Sequence, residues 1–236
     1  MDPWLLATPG ALAVAGGIVG YGAAHPASQL FGRTVRRTNS PKKLAITFDD
    51  GPNPATTPKL LELFARYSGH ATFFLIGDFV TKCPELVRET AARGHSLGNH
   101  TFAHPNLFKC GPTEIREQLR RCSDAIAEVT AVTPKWFRPP YGLRNPWAIP
   151  AANRMGMQAV MWTLLAWDWK ARSPEWLIPR MAPIAERAQK KSARRAKETH
   201  EAGTVGKVND AREATAHGDI LCLHDGYHMH LNGDRH

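Results

Sequence analysis

The chain has 236 residues, 43% of them hydrophobic and seven of them tryptophan, enough for a sizeable core in one large or two small domains; a chain disordered throughout is excluded. Its formal charge of +9 at pH 7 bears on neighbours and solubility rather than on chemistry, and no nucleic-acid reader motif accompanies it, so nucleic acid is not an expected partner. Cys83, Cys110, Cys122 and Cys222 show no C-x-x-C spacing, which argues against a thiolate zinc site or a dithiol redox motif and favours buried free thiols, with Cys110–Cys122 the pairing an oxidising compartment would allow.

From Pro3 to Gly32 there is no Lys, Arg, Asp or Glu, and residues 4–24, rich in Gly and Ala, are long enough to cross a bilayer as a helix. The segment lacks the basic start of a secretory signal, although "GAAHPAS" offers small residues near a cleavage point. Arg33, Arg36 and Arg37 follow it, and if it stayed as an anchor the positive-inside tendency would hold the rest in the cytoplasm. Residues 1–40 therefore read as a hydrophobic leader, either an anchor or signal or a poorly ordered extension, ahead of a folded domain at 41–236.

Past residue 40 strands and helices alternate. "KLAITF" reads as a buried strand, "TTPKLLELFARYS" as an amphipathic helix and "ATFFLIG" as a second strand. "CPELVRETAARG" is a helix opened by Pro84 and closed by Gly94, "HSLGNH" a short strand, and "GPTEIREQLRRCSDAIAEVT" a long helix starting at Pro112 or Thr113. "WFRPPY" then ends a strand, "NPWAIPAANRMG" is a helix, "QAVMWTLL" a strand, "SPEWLIPRMAPIAERAQKKSARRAKE" a helical stretch and "DILCLHD" the last strand. That order predicts an α/β fold with mostly parallel strands joined by helices, either an open doubly wound sheet or a barrel.

In such folds chemistry sits at the C-terminal ends of the strands, and there the polar clusters fall: Asp49 and Asp50, His100 and His104, Arg138 to Tyr141, Asp168, and His224 with Asp225. Two adjacent carboxylates repel unless a cation or a proton relieves them. His100 and His104, four apart, would project from one side of a helical turn and grip one ion, and Asp50 could be the third ligand, leaving an open position as catalytic zinc sites do.

"TFDDGP", "HTFAH", "RPPYG", "DW" and "LHDG", in that order between about Lys42 and Gly226, resemble the five motifs of the polysaccharide deacetylase family, carbohydrate esterase family four, which includes chitooligosaccharide and peptidoglycan N-acetylglucosamine deacetylases. The resemblance implies a distorted, incomplete (β/α) barrel. It also implies a divalent metal held by Asp50, His100 and His104, with Zn2+ the usual ion and Co2+ an alternative. It makes Asp49 the catalytic base, His224 the acid that protonates the leaving amine, and the Tyr141 backbone N–H a donor to the oxyanion. Arg138 would orient Asp49, and Asp168 would hold His224. The implied partner is an N-acetylated glycan, and the implied location the cell envelope, membrane-associated or exported, with a cytoplasmic alternative. Tyr141 and Trp169 are the aromatic faces expected at the substrate groove, with Trp136, Trp147 and Trp167 undecided, while His95 needs only a structural hydrogen bond.

The chain departs from the family pattern in two motifs. Leu165 stands where D-x-x-D-W has its first aspartate, and Cys222 stands where a leucine often precedes the last motif's histidine, which alters the pocket for the acyl group. A basic insertion at about 186–217 reads as solvated surface, and the sequence stops soon after the last motif, where relatives continue, which is expected of either an incomplete barrel with an exposed sheet edge or a truncated product. His228, His230 and His236 read as a tail rather than a second metal site. The expected activity is removal of N-acetyl groups from amino sugars of a chitin-oligosaccharide or peptidoglycan type of glycan. The alternatives are hydrolysis of another C–N bond, such as that of a formyl amino-sugar lipid, and glycan binding without turnover.

Overall fold

The computed structural model describes residues 3–41, 43–171, 173–184, 186 and 217–226. The basic insertion, apart from residues 186 and 217, and the histidines after residue 226 lie outside them. Eight strands make one curled sheet: β1 (Thr34–Val35), β2 (Ala45–Gly51), β3 (Thr72–Leu75), β4 (Ser96–Asn99), β5 (Trp136–Phe137), β6 (Gln158–Val160), β7 (Leu164–Leu165) and β8 (Ile220–His224). Their order across the sheet is β1-β6-β5-β4-β3-β2-β8-β7, and every neighbouring pair is parallel. The ends, β1 and β7, do not pair with each other, so the sheet is an open half-barrel. The expectation of a distorted, incomplete barrel of parallel strands is met.

The helices are α1 (Pro3–Ala24), α2 (Thr57–Arg66), α3 (Gly77–Lys82), α4 (Pro84–Ala92), α5 (Pro112–Thr130) and α6 (Ala148–Arg154), and residues 174–184 are helical as well. Proline at the start of α4 and α5 costs no hydrogen bond, because the first helical N–H groups have no partner within the helix. Along α5 the residues Ile115, Leu119, Cys122 and Ile126 recur at helical spacing and are all fully buried, giving one apolar stripe against the sheet. Strand alternation divides the core into two sides. Phe73 and Leu75 face the helical layer with Leu61, Val80 and Val87, whereas Phe74 faces the barrel interior with Val160 and Ile220. All four cysteines are free thiols, as expected, with Cys122 and Cys110 in separate apolar clusters.

Two elements differ from the sequence reading. α3 was missed because six residues give too little periodicity to show. The single run "QAVMWTLL" is in fact two strands on opposite flanks of the sheet, since β6 pairs with β5 and β1 while β7 pairs with β8. A continuous apolar run cannot reveal that its halves have different partners.

The leader forms a helix, and no helix among the described residues is long and apolar enough to cross a membrane. Gly10, Gly16, Gly17, Gly20 and Gly22, with the alanines between them, add length without much apolar surface. The end of α1 is instead tied to the domain. Arg144, fully buried, donates its backbone N–H to Ala23 O (3.1 Å) and Nη2 to His25 O (2.7 Å) and Ser28 O (3.2 Å), while Nη1 donates to Gly142 O (2.9 Å). Immediately downstream, β1 pairs with β6, so the sheet begins before residue 41. Hydrogen bonds from a charged donor are worth about 1.5–3 kcal/mol each. Arg144→Ala should therefore lower unfolding free energy by roughly 3 kcal/mol or more, read as a lower denaturant midpoint, and should expose residues 20–30 to proteolysis.

Candidate active site

The C-terminal ends of β2, β4 and β8 and the loops after β5 and β7 enclose a pocket of about 380 Å3. Asp49 and Asp50, adjacent on β2, both line it. In a regular strand neighbouring side chains point to opposite faces, so two successive residues cannot normally share a pocket. Here the register with β3 shifts between Phe48 and Gly51, and Asp50 takes a left-handed backbone (φ 69°), which turns its carboxylate onto the side Asp49 already occupies. Gly51 completes the bend where Asp225 packs against it: a Cβ there would lie 2.5 Å from Asp225 Oδ2.

Asp50 Oδ1 lies 3.3 Å from His100 Nε2 and 3.1 Å from His104 Nε2, and all three residues are buried. The histidines do not sit on a helical turn, contrary to the sequence expectation. Residues 100–104 form an irregular loop in which Thr101 (φ 67°) and His104 (φ 55°) are left-handed, and the loop brings the two rings to a centroid distance of 4.9 Å. His100 Nδ1 lies 2.8 Å from the Arg138 carbonyl oxygen, which can only accept, so Nδ1 carries a proton and a neutral His100 turns the lone pair of Nε2 toward the Asp50 carboxylate. Lone pair facing carboxylate is repulsive unless a proton or a metal ion sits between them. Consistent with that, Asp50 Oδ1 is buried without a hydrogen bond of acceptable geometry. Burial alone would push the Asp50 carboxyl up, but the His100 and His104 rings against it outweigh burial and hold the group well below the usual carboxylate range. Two imidazole nitrogens and one carboxylate oxygen fit a divalent ion with an open coordination position.

Asp49 is held from the other side. Arg138, fully buried, donates Nη1 to Asp49 Oδ1 (2.7 Å) and to Thr47 Oγ1 (2.7 Å) and Nε to Val160 O (3.1 Å), with its guanidinium 4.2 Å from the centre of the Phe74 ring. It is no surface ion pair. Beside Asp49, on the adjacent strand β8, His224 Nδ1 lies 2.8 Å from Asp168 Oδ1, and the His224 backbone N–H donates to Asp168 Oδ2 at 2.6 Å. Asp168 opens a short 3-10 turn but spends both oxygens on His224, leaving Nε2 to face the pocket. Burial works to lower the His224 pKa; the Asp168 hydrogen bond and the charges of Asp49, Asp168 and Asp50 outweigh it and raise the value above that of an ordinary imidazole.

Tyr141 and Trp169 both line the pocket, the first edge-on to His104 (4.6 Å) and the second edge-on to His224 (4.5 Å). Of the undecided tryptophans, Trp167 lines the pocket 5.0 Å from Trp169, while Trp136 packs against the interior core and Trp147 does not line the pocket. His95 plays the structural part expected, its Nδ1 accepting from the Ala71 backbone N–H at 3.1 Å. The sequence reading missed Trp162 in the lining and Thr47 beneath it. Thr47 was findable, because it stands two before Asp49 on the same strand and so on the same face. Cys222 also lines the pocket, with Sγ 3.4 Å from Asp49 Oδ2; burial and the Asp49 charge push its thiol well above the ordinary cysteine value.

Residues 36–160, more than half of the chain, match the family model described as Polysaccharide deacetylase. The chain is 37% identical over 129 residues to a chitooligosaccharide deacetylase of Bradyrhizobium sp. (strain ANU 289), covering 54% of this chain and 59% of that protein. It is also 37% identical over 133 residues to a peptidoglycan-N-acetylglucosamine deacetylase of Bacillus cereus, covering 56% and 48%. It thus spans about half the length of the curated relatives it matches. The crystal structure of a CE4 family pseudoenzyme from Bacillus anthracis superposes with a TM-score of 0.64 at 24% identity, over 82% of this chain and 58% of that one, a likeness that concerns the fold alone. On the family match, with the half-barrel and the motif residues gathered at its mouth, the chain belongs to the polysaccharide deacetylase family.

Proposed function

We propose that the protein is a metal-dependent hydrolase that removes N-acetyl groups from amino sugars of a cell-envelope glycan of the chitooligosaccharide or peptidoglycan type. The observation that carries this reading is the triad of Asp50 Oδ1, His100 Nε2 and His104 Nε2, with His100 Nδ1 held by a carbonyl so that Nε2 is the nitrogen turned to Asp50, sharing one pocket with a carboxylate-held imidazole. A divalent ion bound there, zinc in the first instance, would supply Lewis acidity and lower the pKa of a water to about 7.

The chain's own residues do the rest. Arg138 fixes Asp49 through Oδ1, so that Oδ2, whose other neighbour is the weakly donating Cys222 thiol, takes a proton from the attacking water. An amine anion is too poor a leaving group to depart unaided, and His224 Nε2, backed by Asp168, delivers the proton it needs. Tyr141, Trp167 and Trp169 offer apolar faces to the C–H faces of sugar rings. Asp49 held by Arg138 and His224 held by Asp168 support turnover over glycan binding alone.

The test is acetate release from chitooligosaccharides and peptidoglycan fragments, before and after chelator treatment. Release that stops with chelator and returns with zinc or cobalt supports the reading; release that chelator leaves untouched overturns the metal mechanism. A further prediction concerns Asp168→Asn. The amide cannot hold the Nδ1 proton of His224 as the carboxylate does, so kcat should fall about 10–100-fold. Because His224 must be protonated to act and Asp168 raises its pKa, activity in the parent is lost as pH rises through that raised value. The alkaline limb of the kcat–pH profile should therefore move to lower pH in the variant, a shift that a merely structural role would not produce.

A further inference from the structure

Beside the Asp50 triad lies a second convergence of ligand atoms that the proposed reaction does not need as a set: Asp49, Cys222 and His224, each offering one atom within 4.8 Å of the others. Asp49 and His224 each have one ligand atom taken by an orienting partner, and Cys222 Sγ lies 3.5 Å from Arg138 Nη1. Arg138 occupies Asp49 Oδ1 and leaves Oδ2, which lies 3.4 Å from Cys222 Sγ. Asp168 occupies His224 Nδ1 and leaves Nε2 facing the pocket, the carboxylate–histidine arrangement that orients imidazoles toward metals. Cys222 is buried yet reaches the pocket lining, so its thiol is open to a small ion arriving through the mouth and closed to bulk solvent. One sulfur, one nitrogen and one oxygen make a softer donor set than the two nitrogens and one oxygen of the Asp50 triad.

We propose that Asp49, Cys222 and His224 form a second, thiophilic metal site which takes a soft divalent cation, Cd2+ or excess Zn2+, and shuts the pocket by occupying the proposed base and acid together. Binding forms a bond from the metal to Sγ and releases the thiol proton to solvent, with no change of oxidation state. Thiolate and carboxylate together balance the dication, while Arg138 keeps its bond to Oδ1. Metal–ligand bonds of about 2.0–2.3 Å draw the three atoms together by small side-chain movements. The inhibitory consequence rests on the deacetylase reading; the binding does not.

The experiment uses the full chain carrying Cys83→Ser, which removes the one cysteine that is not buried. Cadmium chloride should raise a thiolate-to-cadmium charge-transfer absorbance equivalent to one thiolate per chain. The band should survive in the His100→Ala/His104→Ala background and vanish in Cys222→Ser. It overturns the proposal if the band is absent from the parent or persists in Cys222→Ser. Should Cys222→Ser fail to fold, His224→Gln keeps the thiol and should weaken cadmium binding at least about tenfold; an unchanged affinity also overturns the site. Where acetate release is measurable, cadmium should inhibit the parent at concentrations at least about tenfold lower than it inhibits Cys222→Ser. Equal inhibition of the two, with the band present, would reject the shut-pocket consequence alone.

Discussion

His104→Ala should lower acetate release by at least about a thousandfold and leave the purified protein without its stoichiometric ion. The size follows from what the triad does: a metal is worth several kcal/mol of transition-state stabilisation, and about 1.36 kcal/mol is a factor of ten. Removing one of two imidazoles also leaves Asp50, buried and short of a partner, facing a single ring. Metal content by elemental analysis checks the first half and the acetate assay the second. Full activity in a variant that retains no metal would reject the assignment of the triad. Added zinc at high concentration should restore part of the loss, because Asp50 and His100 remain.

Asp49→Asn should cost about 10²–10⁴ in kcat, the usual contribution of a general base, while metal content stays at the parent level. The two readouts separate the roles of the neighbouring carboxylates: Asp50 variants should lose the ion, Asp49 variants only the proton transfer. Asp49→Asn should also destabilise the fold. Arg138 has no exposed surface, and removing the carboxylate that pairs with it among the described residues leaves a buried charge without that counterion, a change that typically costs about 3–5 kcal/mol. Activity is therefore best compared well below the variant's denaturation midpoint. The double change Asp49→Asn/Arg138→Met, which removes both charges, should recover part of the stability and none of the activity.

The alternation of β-branched and aromatic runs with amphipathic helices was readable because burial on a parallel sheet imposes it on every strand, and this is why β2, β3, β8 and α5 stood out. The motif residues were readable because chemistry at strand ends needs a few residue types at particular places. Asp49, Asp50, His100, His104, Tyr141, Trp169 and His224 all reach the one pocket, and Arg138 and Asp168 each grip the residue named for them. What lay beyond the sequence were relations without a local signature. The split of one apolar run into β6 and β7 depends on which strands lie beside it, and the fate of residues 3–32 depends on Arg144, more than a hundred residues away.

The sequence by itself determined the class of fold and the set of reactive side chains, since periodicity and residue chemistry are properties of neighbours along the chain. Only the tertiary structure decided that Asp49 and Asp50 face the same way, through a register shift and a left-handed residue. It also decided that the two histidines converge from a loop rather than a helix, and that Cys222 stands against Asp49. Each of these is a matter of backbone direction at a single residue or of contact across distant strands. Composition and spacing do not encode either quantity locally; they follow from the packing of the whole sheet.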